Sequence, residues 1–193
     1  MHRQIAHLVF AGAIAFAAIA LPAPASAQQR TGSYLSAGIG WGYYYQQCGS
    51  CAYAWNNADD YVGYLGFGTT VKPNMRVGVQ IDAFNHREGN VKQNLAFYNL
   101  MFSFYPKPAS PLWVKIGLGW TVNHASGAGA GGTASGLNVA LGLGFDIAPK
   151  KGKFAIIPYV GYDRQFTGGD VSGTAVNAKA ALLQFGVGFG LRH

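Results

Sequence analysis

The stretch Leu182-Leu183-Gln184-Phe185-Gly186-Val187-Gly188-Phe189-Gly190-Leu191-Arg192-His193 alternates almost without a break. Leu183, Phe185, Val187, Phe189 and Leu191 fall on one face, and Gln184, Gly186, Gly188, Gly190 and Arg192 on the other. Successive side chains of a strand point to opposite sides, so this is an extended strand with one apolar face. Its second face is small and Gly-rich, unlike the Lys/Glu/Thr face of a sheet exposed to water. That second face decides the fold.

The same stencil recurs upstream. Ser33 to Tyr45 sets Leu35, Ala37, Ile39, Trp41 and Tyr43 against Ser36, Gly38, Gly40 and Gly42. Tyr61 to Val71 follows, then Arg76 to Phe84 and Leu95 to Tyr105. A fifth segment opposes Leu112, Val114, Ile116, Leu118, Trp120 and Val122 to Lys115, Gly117, Gly119, Thr121 and Asn123; a sixth runs from Leu137 to Ile147. Phe154 to Phe166 fits worst, because Ile156-Ile157 and Pro158 blur its phase. With the opening stretch this makes eight segments of about ten residues, the length with which tilted strands cross an apolar band about 25 Å tall.

Connections alternate in kind. Lys72-Pro73-Asn74-Met75, Lys107-Pro108-Ala109-Ser110-Pro111 and Ala148-Pro149-Lys150-Lys151-Gly152 are tight and Pro-bearing. Gln46 to Asp60, Ala125 to Ser135 and Thr167 to Asn177 are expected as longer loops, and His86 to Asn90 as a short one. Tight turns at one end and longer loops at the other are the asymmetry of a bacterial outer-membrane barrel, with turns and both chain ends in the periplasm.

Composition agrees. Charged residues are 11% of the chain, against about 25% in ordinary soluble domains, too few to cover a soluble surface of this size. Residues 1–27 read as a secretory signal peptide: Arg3, an apolar run from Ile5 to Leu21, then the small-residue end Ala25-Ser26-Ala27. The run is shorter than the roughly 20 residues of a spanning helix, so cleavage after Ala27 is expected and residues 28–193 form the barrel domain. Loss of Arg3 lowers the net charge from +7 to +6. The basic residues are scattered, without interleaved aromatics, so a nucleic-acid partner is excluded.

Alternation alone does not say which face is inside, since a lipocalin-like barrel or a sandwich buries its apolar face. The Gly-rich counter-face, the export signal, and Trp41, Tyr43, Tyr61 and Trp120 near strand ends, where aromatic girdles form, favour apolar side chains outward. The expected fold is all-β: an eight-stranded antiparallel transmembrane barrel.

Phe185-Gly186-Val187-Gly188-Phe189-Gly190-Leu191-Arg192, Tyr34-Leu35-Ser36-Ala37-Gly38-Ile39-Gly40-Trp41-Gly42 and Asn99-Leu100-Met101-Phe102-Ser103-Phe104-Tyr105-Pro106 resemble strands of small outer-membrane barrels of the OmpA and OmpX type. The resemblance implies outer-membrane lipids and lipopolysaccharide as surroundings, and surface ligands at the loops. It also implies that the barrel-assembly machinery reads the last strand. That strand usually ends in an aromatic residue; here Phe185, Val187, Phe189 and Leu191 keep the phase and His193 stands last.

Four groups of residues invite chemistry. Cys48-Gly49-Ser50-Cys51 reads as a small disulfide in the first loop, as expected in an oxidising compartment; haem attachment would need His where Ala52 stands, and no further zinc ligands are evident. Arg76, Asp82, Lys115, Asp146 and Arg192 face inward, with Asp163 or Arg164 a further member. They are expected to form a network that plugs the lumen, since unpaired buried charge is costly, with Lys115 paired to Asp146. His124 and Ser126 resemble the catalytic pair of lipid A deacylases, but Gly127 replaces that family's Asn and the orienting acid is missing. Gly127 to Gly132 lacks the Lys-Ser/Thr end and the helix of a phosphate loop.

The expected function is therefore a non-enzymatic, monomeric envelope or surface-interaction barrel without cofactor or metal. Its rivals are a small-solute or ion channel, a lipid A acyl hydrolase and a secreted lipid-binding barrel.

Overall fold

The computed structural model describes residues 30–47, 57–127, 130–149, 153–171 and 174–192. Among the described residues nine strands form: β1 (Ser33–Gln47), β2 (Asn57–Lys72), β3 (Met75–Glu88), β4 (Val91–Phe104), β5 (Leu112–Gly127), β6 (Ala130–Phe145), β7 (Phe154–Gln165), the three-residue β8 (Gly169–Val171) and β9 (Thr174–Arg192). The eight long strands pair antiparallel in chain order, β9 following β7, and β9 pairs back onto β1 from Tyr34↔Arg192 to Gln47↔Lys179. The sheet is a closed cylinder, so the long strands leave no open edge.

Apolar side chains cover its outside. Ile39 is 75% exposed, Leu118 61% and Phe189 65%, while their strand neighbours turn inward. A soluble sheet of this alternation would hide these residues; here the buried set is on the other face. Tight turns and both described chain ends share one end of the cylinder. There the Ser110 N–H donates to the Lys107 carbonyl and the Tyr105 N–H to the Asn74 carbonyl.

The ladders run further than the hydrophobic pattern, mostly at the opposite, loop end. β2 begins at Asn57, β4 at Val91, β6 at Ala130 and β9 at Thr174. In the stretch expected as a loop from Ala125 to Ser135, β5 and β6 instead stay in register out to Gly127↔Ala130. Part of the expected loop from Thr167 to Asn177 is likewise strand, β8 pairing with β9. Beyond the apolar band neither face has to be greasy, so the sequence signal fades although backbone pairing continues. Pro158 keeps its place in β7 opposite Val187, with Ile156 outward and Ile157 inward. β6 ends at Phe145, and Ile147 joins Ile156 only as an isolated bridge.

The inner face is not simply small and wet. Facing glycines such as Gly38↔Gly188 leave a flat floor on which a ring can lie. A Cβ at Gly38 would come within 2.3 Å of the Tyr64 ring, and one at Gly188 within 2.1 Å of its hydroxyl. Glycine in these strands thus makes room for inward aromatics, the close approach that glycine in a strand often marks.

Candidate functional site: the closed lumen

From the turn end upward, the bore is filled in layers. At the mouth, the Arg76 guanidinium meets the Asp146 carboxylate at 3.2 Å and donates to Tyr105 Oη at 2.8 Å. Tyr105 Oη and Trp113 Nε1 also donate to Asp146, at 2.9 and 3.0 Å. Arg30 precedes β1, yet it is buried at this mouth, its Nε 3.8 Å from Asp146 and its guanidinium 3.6 Å from the centre of the Tyr105 ring. Strand order puts β5 opposite β1, and Arg30 reaches across to donate to the carbonyls of Pro108 and Ser110 in the turn before β5.

Above the mouth lies an apolar layer of Tyr64, Trp113, Ala155, Ile157 and Tyr159, with Tyr64 and Tyr159 edge to face at 4.9 Å. Next comes an acid–amide layer. Gln184 Nε2 donates to Asp82 at 2.8 Å and to Asp163 at 3.2 Å, and Asn99 Nδ2 donates to Asp163 at 2.8 Å. Gln80 Nε2 donates to both oxygens of Asp82, while its own oxygen accepts from Lys115 Nζ at 3.1 Å. Asn138 donates to the Asn99 oxygen at 2.6 Å. Amide dipoles therefore separate two carboxylates and pass the lysine's charge to one of them, while the Asn138 and Gln184 oxygens stay buried without a hydrogen-bond partner among the described residues.

A second apolar layer follows: Tyr44, Ala58, Val62, Phe84, Leu95, Phe97, Ala180 and Leu182. Tyr44, Phe84, Phe97 and Leu182 are 0% exposed. At the loop end Gln93 and Asn123 close the bore, both donating to Tyr44 Oη and Gln46 Oε1, with Tyr44 itself donating to Gln46. Beside them Asp60 faces His86 Nδ1 at 3.1 Å. Two cavities along the bore measure about 20 Å³ each, room for a single water. An eight-stranded cylinder is narrow enough for its own side chains to fill it, and this one is filled.

Arg76, Asp82, Lys115 and Asp146 all point into the bore, but in two separate layers. The expected Lys115–Asp146 pair does not form: Asp146 is taken by Arg76 and Arg30, and Lys115 turns to Gln80. Asp163 is inward and Arg164 outward. Trp41, Tyr43, Tyr61 and Trp120 lie on the outer surface, Trp41 and Tyr61 packed edge to face at 5.2 Å. Phe185, Val187, Phe189 and Leu191 share the outward phase of β9. Residues 1–27, Cys48, Cys51, His193 and the Arg192 side chain lie outside the described residues. His124 contacts Thr133 Oγ1 at 2.8 Å across the β5–β6 ladder, not Ser126.

The residues missed in the sequence are mostly neutral: Gln80, Asn99, Asn138 and Gln184 carry the middle layer. Their signal was a polar amide in the inward phase of a strand, which Asn99, Asn138 and Gln184 all display. Arg30 had none, because it precedes the first alternating segment.

No protein-family model matches the chain, and no curated protein matches it in sequence. Solved structures do match in shape. Neisserial surface protein A (NspA) is similar over 86% of this chain and 100% of its own, at 15% identity and a TM-score of 0.55. The outer membrane protein OprG from Pseudomonas aeruginosa is similar over 86% of this chain and 99% of its own, at 15% identity and a TM-score of 0.53. The chain has the fold of the small eight-stranded outer-membrane barrels of Gram-negative bacteria.

Proposed function

We propose that this chain is an integral outer-membrane barrel of structural and surface-interaction type, not an enzyme and not an open pore. Residues 1–27 serve as the export signal and are removed, the turn end and both termini of the mature chain face the periplasm, and the loop end faces outward. It acts as a monomer, inserted by the barrel-assembly machinery, with outer-membrane lipids around it and its loops free to meet surface ligands. The single observation that carries this reading is a bore filled at every level inside a cylinder whose outside is apolar.

Planar-bilayer recording tests it. The purified barrel should insert from detergent, migrate differently on gels before and after boiling, and give no stable conductance steps. Stable steps would replace this reading with a small-solute or ion channel. Recovery of the exported chain in the soluble fraction would replace it with a secreted lipid-binding barrel.

A further inference from the structure

The outer surface of β3 to β6 at the loop end carries cations where the ladder register opposes them. Arg87 on β3 pairs directly with Lys92 on β4, and both are exposed on the outward face. Like charges directly opposite one another are destabilising, yet among the described residues neither joins an ion pair. The Arg87 guanidinium donates to the Gly89 carbonyl at 3.4 Å, whereas ion pairs among the described residues join Arg30 and Arg76 to Asp146 and His86 to Asp60. Glu88, beside Arg87, and Asp59 on β2 make no such contact with them either.

Polar hydrogen-bonding groups flank this pair. Lys92 is opposite Ser126, Asn94 opposite His124, and His124 opposite Thr133. Below them the same outward columns turn apolar: Ala96, Tyr98 and Leu100 on β4, Val122, Trp120 and Leu118 on β5, with Tyr98 and Trp120 directly paired. At roughly 3.3 Å per residue, Asn94 and His124 stand about 13 Å along the strand beyond the Tyr98–Trp120 pair, and Lys92 about 20 Å. These apolar columns end at Ala96 and Val122, about 7 Å along the strand short of Asn94 and His124 and about 13 Å short of Lys92, which puts the two cations at headgroup height. A ligand that answers this surface has anionic groups above and acyl chains below.

We infer that Arg87 and Lys92, flanked by Asn94, Ser126 and Thr133, dock a phosphate-bearing acylated glycolipid of the leaflet around the loop end. This inference rests on the barrel spanning the membrane with its loop end outward. The phosphates neutralise the facing cations, the hydroxyls and the amide donate to phosphate oxygens, and the acyl chains lie on the Tyr98–Trp120 wall.

Native mass spectrometry of the folded barrel with bisphosphorylated lipid A tests this. The probe should bind saturably. The double variant Arg87→Gln/Lys92→Gln should lose about tenfold or more in affinity, since each cation near such a surface contributes about a fivefold factor. The variant Arg164→Gln/Lys179→Gln, which removes outward cations from β7 and β9, should bind like the parent. Equal loss in the two variants means diffuse surface charge and overturns the site. Undiminished binding of dephosphorylated lipid A overturns the phosphate contact. Equal binding of phosphatidylglycerol, with the same loss in the variant, overturns the glycolipid assignment. Displacement by micromolar inorganic phosphate assigns a free-anion site instead. Heat-modifiable migration of each variant reports folding separately. A parent that never enters bilayers defeats the barrel reading, whereas a folded variant with full affinity defeats only this inference.

Discussion

The Arg30 guanidinium lies 3.6 Å from the centre of the Tyr105 ring and is held there by the Pro108 and Ser110 carbonyls. A residue that precedes β1 thus straps the mouth to the turn that leads into β5. Hydrogen bonds from a charged donor contribute about 1.5–3 kcal/mol, and a desolvated cation over a ring about 2 kcal/mol. Arg30→Ala is expected to lower barrel stability by about 3 kcal/mol, read as the urea midpoint of the heat-modifiable band. Arg30→Lys should recover less than half of the loss, because an ammonium lacks the planar fork that spans two carbonyls.

Gln184 links the two middle-layer carboxylates through one amide nitrogen. Gln184→Leu removes that shared donor and should cost about 2–3 kcal/mol. Gln184→Glu, which adds a third acid to the layer, should cost more. In a double-mutant cycle, Asp82→Asn and Asp163→Asn should be non-additive by about 1 kcal/mol or more. Additive effects would show that the two acids act independently.

Tyr64 lies over the facing glycines of β1 and β9. Gly188→Ala drives a methyl into its hydroxyl and should destabilise by about 1–3 kcal/mol. On a Tyr64→Leu background, where that hydroxyl is gone, Gly188→Ala should cost less than in the parent, measured by thermal unfolding in detergent.

Leu118 is exposed in the middle of the apolar wall of β5. Leu118→Arg should cost about 2–4 kcal/mol of folding free energy in liposomes, as for a cation at the bilayer midplane. The same change at Tyr43, near a strand end, should cost about 1 kcal/mol or less. Equal costs at the two depths would contradict a lipid-facing band.

Much of this was legible in the chain. The phase of Phe185 to Leu191 and of Leu112 to Val122 assigned each residue to a face, because a strand has a period of two and a slip of one would reverse every side chain. The Lys115–Asp146 expectation failed for a related reason. Alternation reports which face a residue occupies, but not its height in the bore or what stands across it.

Sequence by itself determined the eight long strands, the outward apolar face and the inward acids Asp82 and Asp146, since these follow from local periodicity and from a shortage of charge. Only the closed cylinder decided that Arg30 crosses to the β4–β5 turn, that Gln184 joins Asp82 to Asp163, and that Tyr64 rests on Gly38 and Gly188. Those partners are brought together by ring closure and strand stagger, which fix distances between residues far apart in the chain.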